Sequence, residues 1–268
     1  MREIIQPSLP IWRHRRLILQ MARREVVGRY RGSVLGLLWS FFNPLLLLTV
    51  YTFVFSVIFK ARWNTGSDSK TEFAVVLFVG MIMFQVFSEA VNRAPSLIIS
   101  NANYVKKVVF PLEVLPVVAL LVALFHAAIS FCVLVLAMLV LGFQVHLTIL
   151  YFPLIVLPFI LFTLGVCWFL ASLGVFIQDI GQSIGLVTTV LMFLTPVFYP
   201  VSSLPASYQR IVGMNPLAFV IEQSRNVVIF GAVPSWTGVL VMMIVSVGVA
   251  ALGYQWFNRT RKGFADVL

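Results

Sequence analysis

Residues 114–178 read VLPVVALLVALFHAAISFCVLVLAMLVLGFQVHLTILYFPLIVLPFILFTLGVCWFLASLGVFIQ, 65 positions without one Asp, Glu, Lys or Arg. No element of a water-soluble core needs an uncharged run of that length. A bilayer core of about 30 Å is crossed by about 20 helical residues, so the stretch predicts two spans and a turn between them. The turn falls at Gly142 to His146. So short a connection leaves no room for a separate domain. The chain acts within or across a membrane, and its fold class is all-α integral membrane.

The rest of the chain divides in the same way. Residues 35–59 are uncharged and predict a first span with a kink at Asn43-Pro44. Residues 73–100 predict a second, interrupted by Glu89 and Arg93. Residues 101–113, with Lys106 and Lys107, read as a short helix lying on the membrane surface. The long run supplies spans at 115–141 and 148–177, and a fifth follows at 183–200. Residues 201–233 hold Pro205 and Pro216 among apolar runs too short to cross, which predicts re-entrant helices on the outer side. A sixth span, 236–257, ends at Arg259, Arg261 and Lys262. All 268 residues form one transmembrane domain with both ends on the same face.

Composition agrees: 60% of residues are hydrophobic, 10% are charged and the mean hydropathy is +1.00. Hydrocarbon is the main solvent of such a chain. The net charge of +10 is not the footprint of a nucleic-acid binder, because the basic residues cluster at span ends. Eight Arg in residues 1–32, then Lys106 and Lys107, then Arg259, Arg261 and Lys262 fall on one face. Lys60, Arg62, Lys70, Arg210 and Arg225 fall on the other. The bias places both ends in the cytoplasm. The first 30 residues lack a continuous apolar core, so no cleaved signal is expected.

Residues 10–31 have helical periodicity, with Leu19, Ala22, Val26 and Tyr30 on one face and Arg13, Arg16, Gln20, Arg24 and Arg31 on another. This predicts an interfacial helix that anchors to anionic headgroups. Arg also grips phosphate in a bidentate way that Lys cannot, which admits a phosphate-bearing substrate. Glu89 and Arg93 lie four apart on one helix face and are expected to pair, each lowering the other's cost in lipid. With no other carboxylate deep in a span, a proton relay is not supported. Nor does the chain offer convergent carboxylates or a nucleophile beside a base, as an enzyme on lipid-linked sugars would need. No Gly-x4-Gly-Lys-Ser/Thr occurs, so any ATP is hydrolysed by a partner. His14, His126 and His146 lack ligand spacing, and Cys132 and Cys167 sit in apolar spans, so no metal is expected. The chain carries 24 Phe, seven Tyr and six Trp. Trp39, Phe42, Tyr51 and Phe55 on the first span and Phe193, Phe198 and Tyr199 on the fifth are candidates for rings that offer sugar-stacking faces within a channel.

The order Tyr30-Arg31-Gly32-Ser33-x-Leu35-Gly36-x-Leu38-Trp39, Asn43-Pro44, then Asn103-x-Val105-Lys106-Lys107-x-x-Phe110-Pro111-Leu112-Glu113-x-x-Pro116 resembles the permease subunits of type-2 ABC exporters. So does the later run Thr195-Pro196-Val197-Phe198-Tyr199-Pro200, Leu204-Pro205, Asn215-Pro216 and Arg225. The resemblance covers nearly the whole chain and is nearest to the polysaccharide-export branch, the O-antigen permeases of the Wzm kind. It implies the ABC-2, or type V exporter, architecture. The subunit would work as a homodimer in the bacterial inner membrane with two copies of a cytoplasmic ATPase that binds ATP and Mg. Its cargo would be a glycan on polyprenyl diphosphate, with teichoic acid, capsule or a small drug or lipid as alternatives in the same fold.

Matching positions carry the roles over. Asn103, Tyr104, Lys106, Lys107, Phe110, Pro111 and Glu113 would form the coupling helix seated in the ATPase. Arg13, Arg16, Arg24, Arg29 and Arg31 would stand where the lipid diphosphate enters. Residues 201–233 would form the outer gate, with Glu222 and Arg225 as a pair exposed at its surface.

Overall fold

The computed structural model describes residues 12–58, 63, 70–107 and 110–268. These form helices joined by turns, with no strand among them. The first helix, α1 (Arg15–Arg29), is followed by the first span, where a 3-10 turn leads into α2 (Trp39–Tyr51) and a π-helical stretch, Thr52–Ile58. α3 is Lys70–Arg93, prolonged by two 3-10 turns, and α4 is Ala102–Lys107. α5 (Val114–Val140), α6 (Phe152–Phe176) and α7 (Ile180–Leu194) follow, then the short α8 (Ala206–Gly213) and α9 (Pro216–Val228), α10 (Trp236–Thr260) and α11 (Phe264–Val267).

Five of these segments are long and apolar enough to cross a membrane. The sixth, α7, is apolar but has 15 residues, about 22 Å of helix. It stops early because Thr195 turns to an extended backbone ahead of Pro196. Pro44, where a kink was expected, lies inside the continuous helix α2, with Ser40 and Leu48 buried one turn to either side. Between α5 and α6 the chain reverses at Gly142, whose φ is +76°. There the Phe143 N–H donates to Met138 O and the Gly142 N–H to Leu139 O, the Schellman closure of a helix that needs a left-handed residue.

The hub is α3. Its apolar stretch is 78% buried, against 17% for the first and the last span. α5, α6, α7 and α9 all contact it. α6 and α10 pack along one another through glycine. A Cβ at Gly165 would meet the Val249 carbonyl carbon at 2.6 Å, and one at Gly253 would strike Gly165 O. Backbones approach this closely only between small residues, and in lipid that contact replaces the hydrophobic drive helices have in water. Ser172 and Thr260 hydrogen bond across the same pair at 2.6 Å.

α1 buries Ile18, Ala22 and Val26 against Val114, Val118 and Val122 of α5. Leu19, expected on the buried face, is 63% exposed instead. The apolar stripe begins one residue earlier, because the interior partner is the valine ridge of α5. This seats α1 at the bundle end where α5 begins. Arg261, beyond α10, bonds to Glu113 at the same place. Both described chain ends therefore share one end of the bundle, the arginine-rich end, and α8, α9 and the Gly142 turn lie at the other.

Candidate functional site

At the arginine-rich end an open cleft of about 720 Å³ lies between α1, the end of α3, α4 and α5. Arg24, Glu25 and Arg29 reach it from α1, and Glu89, Asn92 and Arg93 from α3. Asn101 and Tyr104 close one side. Arg29 Nη1 donates to Glu89 Oε1 at 2.6 Å. His126 Nδ1 stands 3.0 and 3.1 Å from the two Glu89 oxygens. Arg93 is paired with Glu25.

Glu89 and Arg93, expected to pair with each other, thus take other partners. A spacing of four permits the contact on an isolated helix, but α1 offers each a partner of opposite sign across the cleft. Two carboxylates hold two arginines, and Arg24 has no carboxylate within ion-pair distance among the described residues. The cleft keeps a cationic excess and an array of N–H donors, the equipment that binds phosphate oxygens.

Of the five arginines expected to receive a lipid diphosphate, Arg24 and Arg29 line this cleft, while Arg13, Arg16 and Arg31 are exposed and do not. Of the coupling residues, Asn103 is exposed and Tyr104 stacks on Phe110 with ring centroids 4.5 Å apart. Pro111 is half-buried and opens the turn into α5, where its carbonyl accepts from Val114 N–H. The side chains of Lys106 and Lys107 lie outside the described part of the chain. Glu113 faces inward. It is 5% exposed, its carboxylate accepts from Arg261 Nη1 at 3.1 Å, and its backbone carbonyl accepts from Trp168 Nε1 at 3.0 Å.

At the far end the candidate aromatics partly converge. Phe198 lies 6.0 Å from Phe55 and 5.8 Å from Phe193, ring centre to ring centre. Tyr51 is 6.3 Å from Phe55, and the Tyr199 hydroxyl donates to Phe193 O at 3.2 Å. Trp39 and Phe42, at the opposite end of the first span, are exposed and stand apart from this group.

Arg225 is the sharpest departure from expectation. Instead of an exposed pair with Glu222, it is 3% exposed and donates to three backbone carbonyls, Val76, Pro196 and Val197. Burial pushes the Glu222 carboxyl upward from its ordinary value, and the Arg225 charge opposes this. Glu25, Trp63 and Gly80 have no part in the sequence expectations, and His126 enters them only as a rejected metal ligand. Only Gly80 carried a signal, as a lone glycine in a bulky apolar helix, which marks a close approach.

Residues 16–229 match the ABC-2 type transporter family, to which this chain belongs. Two similar proteins are the O-antigen export system permease protein RfbA of Klebsiella pneumoniae and that of Myxococcus xanthus. The first is 26% identical over 253 residues, covering 94% of this chain and 95% of that protein. The second is 27% identical over 258 residues, 96% of each. The polysialic acid transport protein KpsM of Escherichia coli is 26% identical over 245 residues, 89% of this chain and 91% of that protein. The role of the chain is transport rather than catalysis.

Proposed function

We propose that this chain is the permease subunit of an ATP-driven exporter that moves a polysaccharide of the O-antigen class, carried on polyprenyl diphosphate, from the cytoplasm across the bacterial inner membrane. It works as a homodimer with two copies of a separate ABC ATPase that holds ATP and Mg. The observation that carries the reading is the cleft between α1 and α3. Arg29 and Arg93 are held there by carboxylates beside Arg24, which is not. A diphosphate entering from the membrane surface finds one cation ready and two that exchange one anion for another at little net electrostatic cost. The full-length likeness to O-antigen permeases supports the cargo. The lipid tail stays in the bilayer beside α1 while the glycan enters a path lined by aromatic faces, which sugars slide along without tight binding.

Residues 101–113 with both chain ends in the cytoplasm give the ATPase its grip, and closing of the ATPase dimer on ATP shifts the spans between closed and open packings. The test is the chain copurified with its ATPase and reconstituted in liposomes. A polyprenyl-diphosphate-linked glycan should stimulate ATP hydrolysis, and the Lys106→Glu, Lys107→Glu double variant should lose the stimulation while remaining folded. Stimulation by a small amphiphilic drug and not by the glycan would replace the cargo. Normal export by the double variant would remove the coupling role.

A further inference from the structure

The guanidinium of Arg225 sits in a cradle built from three separate parts of the chain: α3, Trp63 and the Pro196–Val197 segment. Nε donates to Val76 O on α3 at 3.1 Å, Nη1 to Pro196 O at 2.6 Å and Nη2 to Val197 O at 2.7 Å. Trp63, itself buried, covers the plane with its ring centre 4.4 Å from Cζ. Beneath lies Gly80, where a Cβ would stand 2.6 Å from Nη2, so only glycine leaves room.

The two ends of this bridge differ in how firmly they are held. α9, which carries Arg225, is buried along Leu217, Val220, Ile221, Val227 and Val228, and packs on α3 and α6. α7 is exposed along Leu186, Val187, Val190, Phe193 and Leu194. Beyond Leu194 its chain is non-helical, and its carbonyls have no intrahelical donor. Such backbone survives near a membrane only where protein groups satisfy it. Arg225 satisfies two of these carbonyls, and Asn215 Nδ2 donates to the Thr195 hydroxyl at 3.2 Å.

We propose that Arg225 is a positioning residue for transport, pinning the far end of α7 to the α3–α9 body and thereby setting where Phe193 and Phe198 stand at the mouth of the path. This rests on the permease reading above. Opening for a polymer requires the Pro196 and Val197 carbonyls to leave the guanidinium while its bond to Val76 holds. Arginine suits the task because its fork spans several acceptors at once and its flat face takes the Trp63 ring. A lysine ammonium is a compact point charge, with no planar fork to span these carbonyls and no flat face to lie on the indole.

The experiment uses the chain with its ATPase in liposomes loaded with a self-quenching dye and no ATP. Gly80→Ala displaces the guanidinium without removing it, and alanine is the better helix former, so the helix itself is not weakened. Arg225→Lys keeps the charge and loses the fork. Both should leak about tenfold faster than the parent or more, the shift in open population that follows loss of one hydrogen bond to a charged donor. Trp63→Phe should fall between them and the parent. Folding is followed by thermal unfolding, and the basal ATPase rate should stay close to the parent's. Folded Gly80→Ala and Arg225→Lys proteins as tight as the parent would overturn the proposal. Failure of the permease reading looks different, because the parent itself would then neither hold an ATPase nor export a glycan.

Discussion

Glu113 shows how one carboxylate can bind the coupling segment to the opposite end of the chain. It is buried where the segment turns into α5, and Arg261, half-exposed after α10, is its partner. Arg261→Gln leaves a buried carboxylate without its cation, a loss of about 1–3 kcal/mol. The double variant Glu113→Gln with Arg261→Gln should recover part of it, since neither polar group is then stranded. Thermal unfolding of the singles and the double, read as a cycle, measures the coupling, and purely additive losses would show that the pair contributes nothing. The sequence could not show that Glu113 turns inward, because its partner lies 148 positions away. The same blindness affected the pairs read from helical spacing. Glu89 with Arg93, and Glu222 with Arg225, are well spaced on their own helices, yet each arginine has partners on other elements. Spacing reports what a helix allows, and three-dimensional neighbours decide what it does.

The helices themselves were far more legible, because hydrocarbon tolerates almost no alternative to a continuous apolar helix. The long uncharged run became α5 and α6 with the reversal at Gly142, where the sequence placed the turn. What it could not give was the short α7 or the π-helical end of the first span, which depend on donors and contacts supplied by other parts of the chain. Nor did hydropathy separate the helix at the centre of the bundle from those at its edge. The contact between α6 and α10 is the one most open to test. Gly253→Ala puts a methyl group onto Gly165 O and should cost about 1–3 kcal/mol, as overpacking does in a close contact. Gly248→Ala, on the same helix with open space around it, should be neutral or slightly stabilising. Equal effects of the two in a thermal unfolding assay would show that the close crossing is not what holds these helices together.

Taken as a whole, the bundle is tied at its arginine-rich end by Arg–Glu pairs that, among the described residues, join Glu25 with Arg93, Arg29 with Glu89, and Arg261 with Glu113. The first two fasten α1 to the end of α3, and the third fastens the tail of α10 to the start of α5. α1 and the tail of α10 are therefore bound to neighbouring parts of one body, which an odd number of crossings between them does not permit. The ion pairs do not say which side of the membrane this end faces. The excess of Lys and Arg there over the other end supports the proposal that it faces the cytoplasm. In a background carrying Cys132→Ala and Cys167→Ala, a membrane-impermeant thiol reagent applied to intact cells should miss Arg16→Cys and Lys262→Cys, and should label Ser203→Cys in the turn before α8. Permeabilised cells should show all three labelled. Labelling of Arg16→Cys and Lys262→Cys from opposite sides would break the bundle as described. Labelling of both from outside would keep the bundle and reverse its orientation, leaving the cleft beside α1 out of reach of any cytoplasmic substrate.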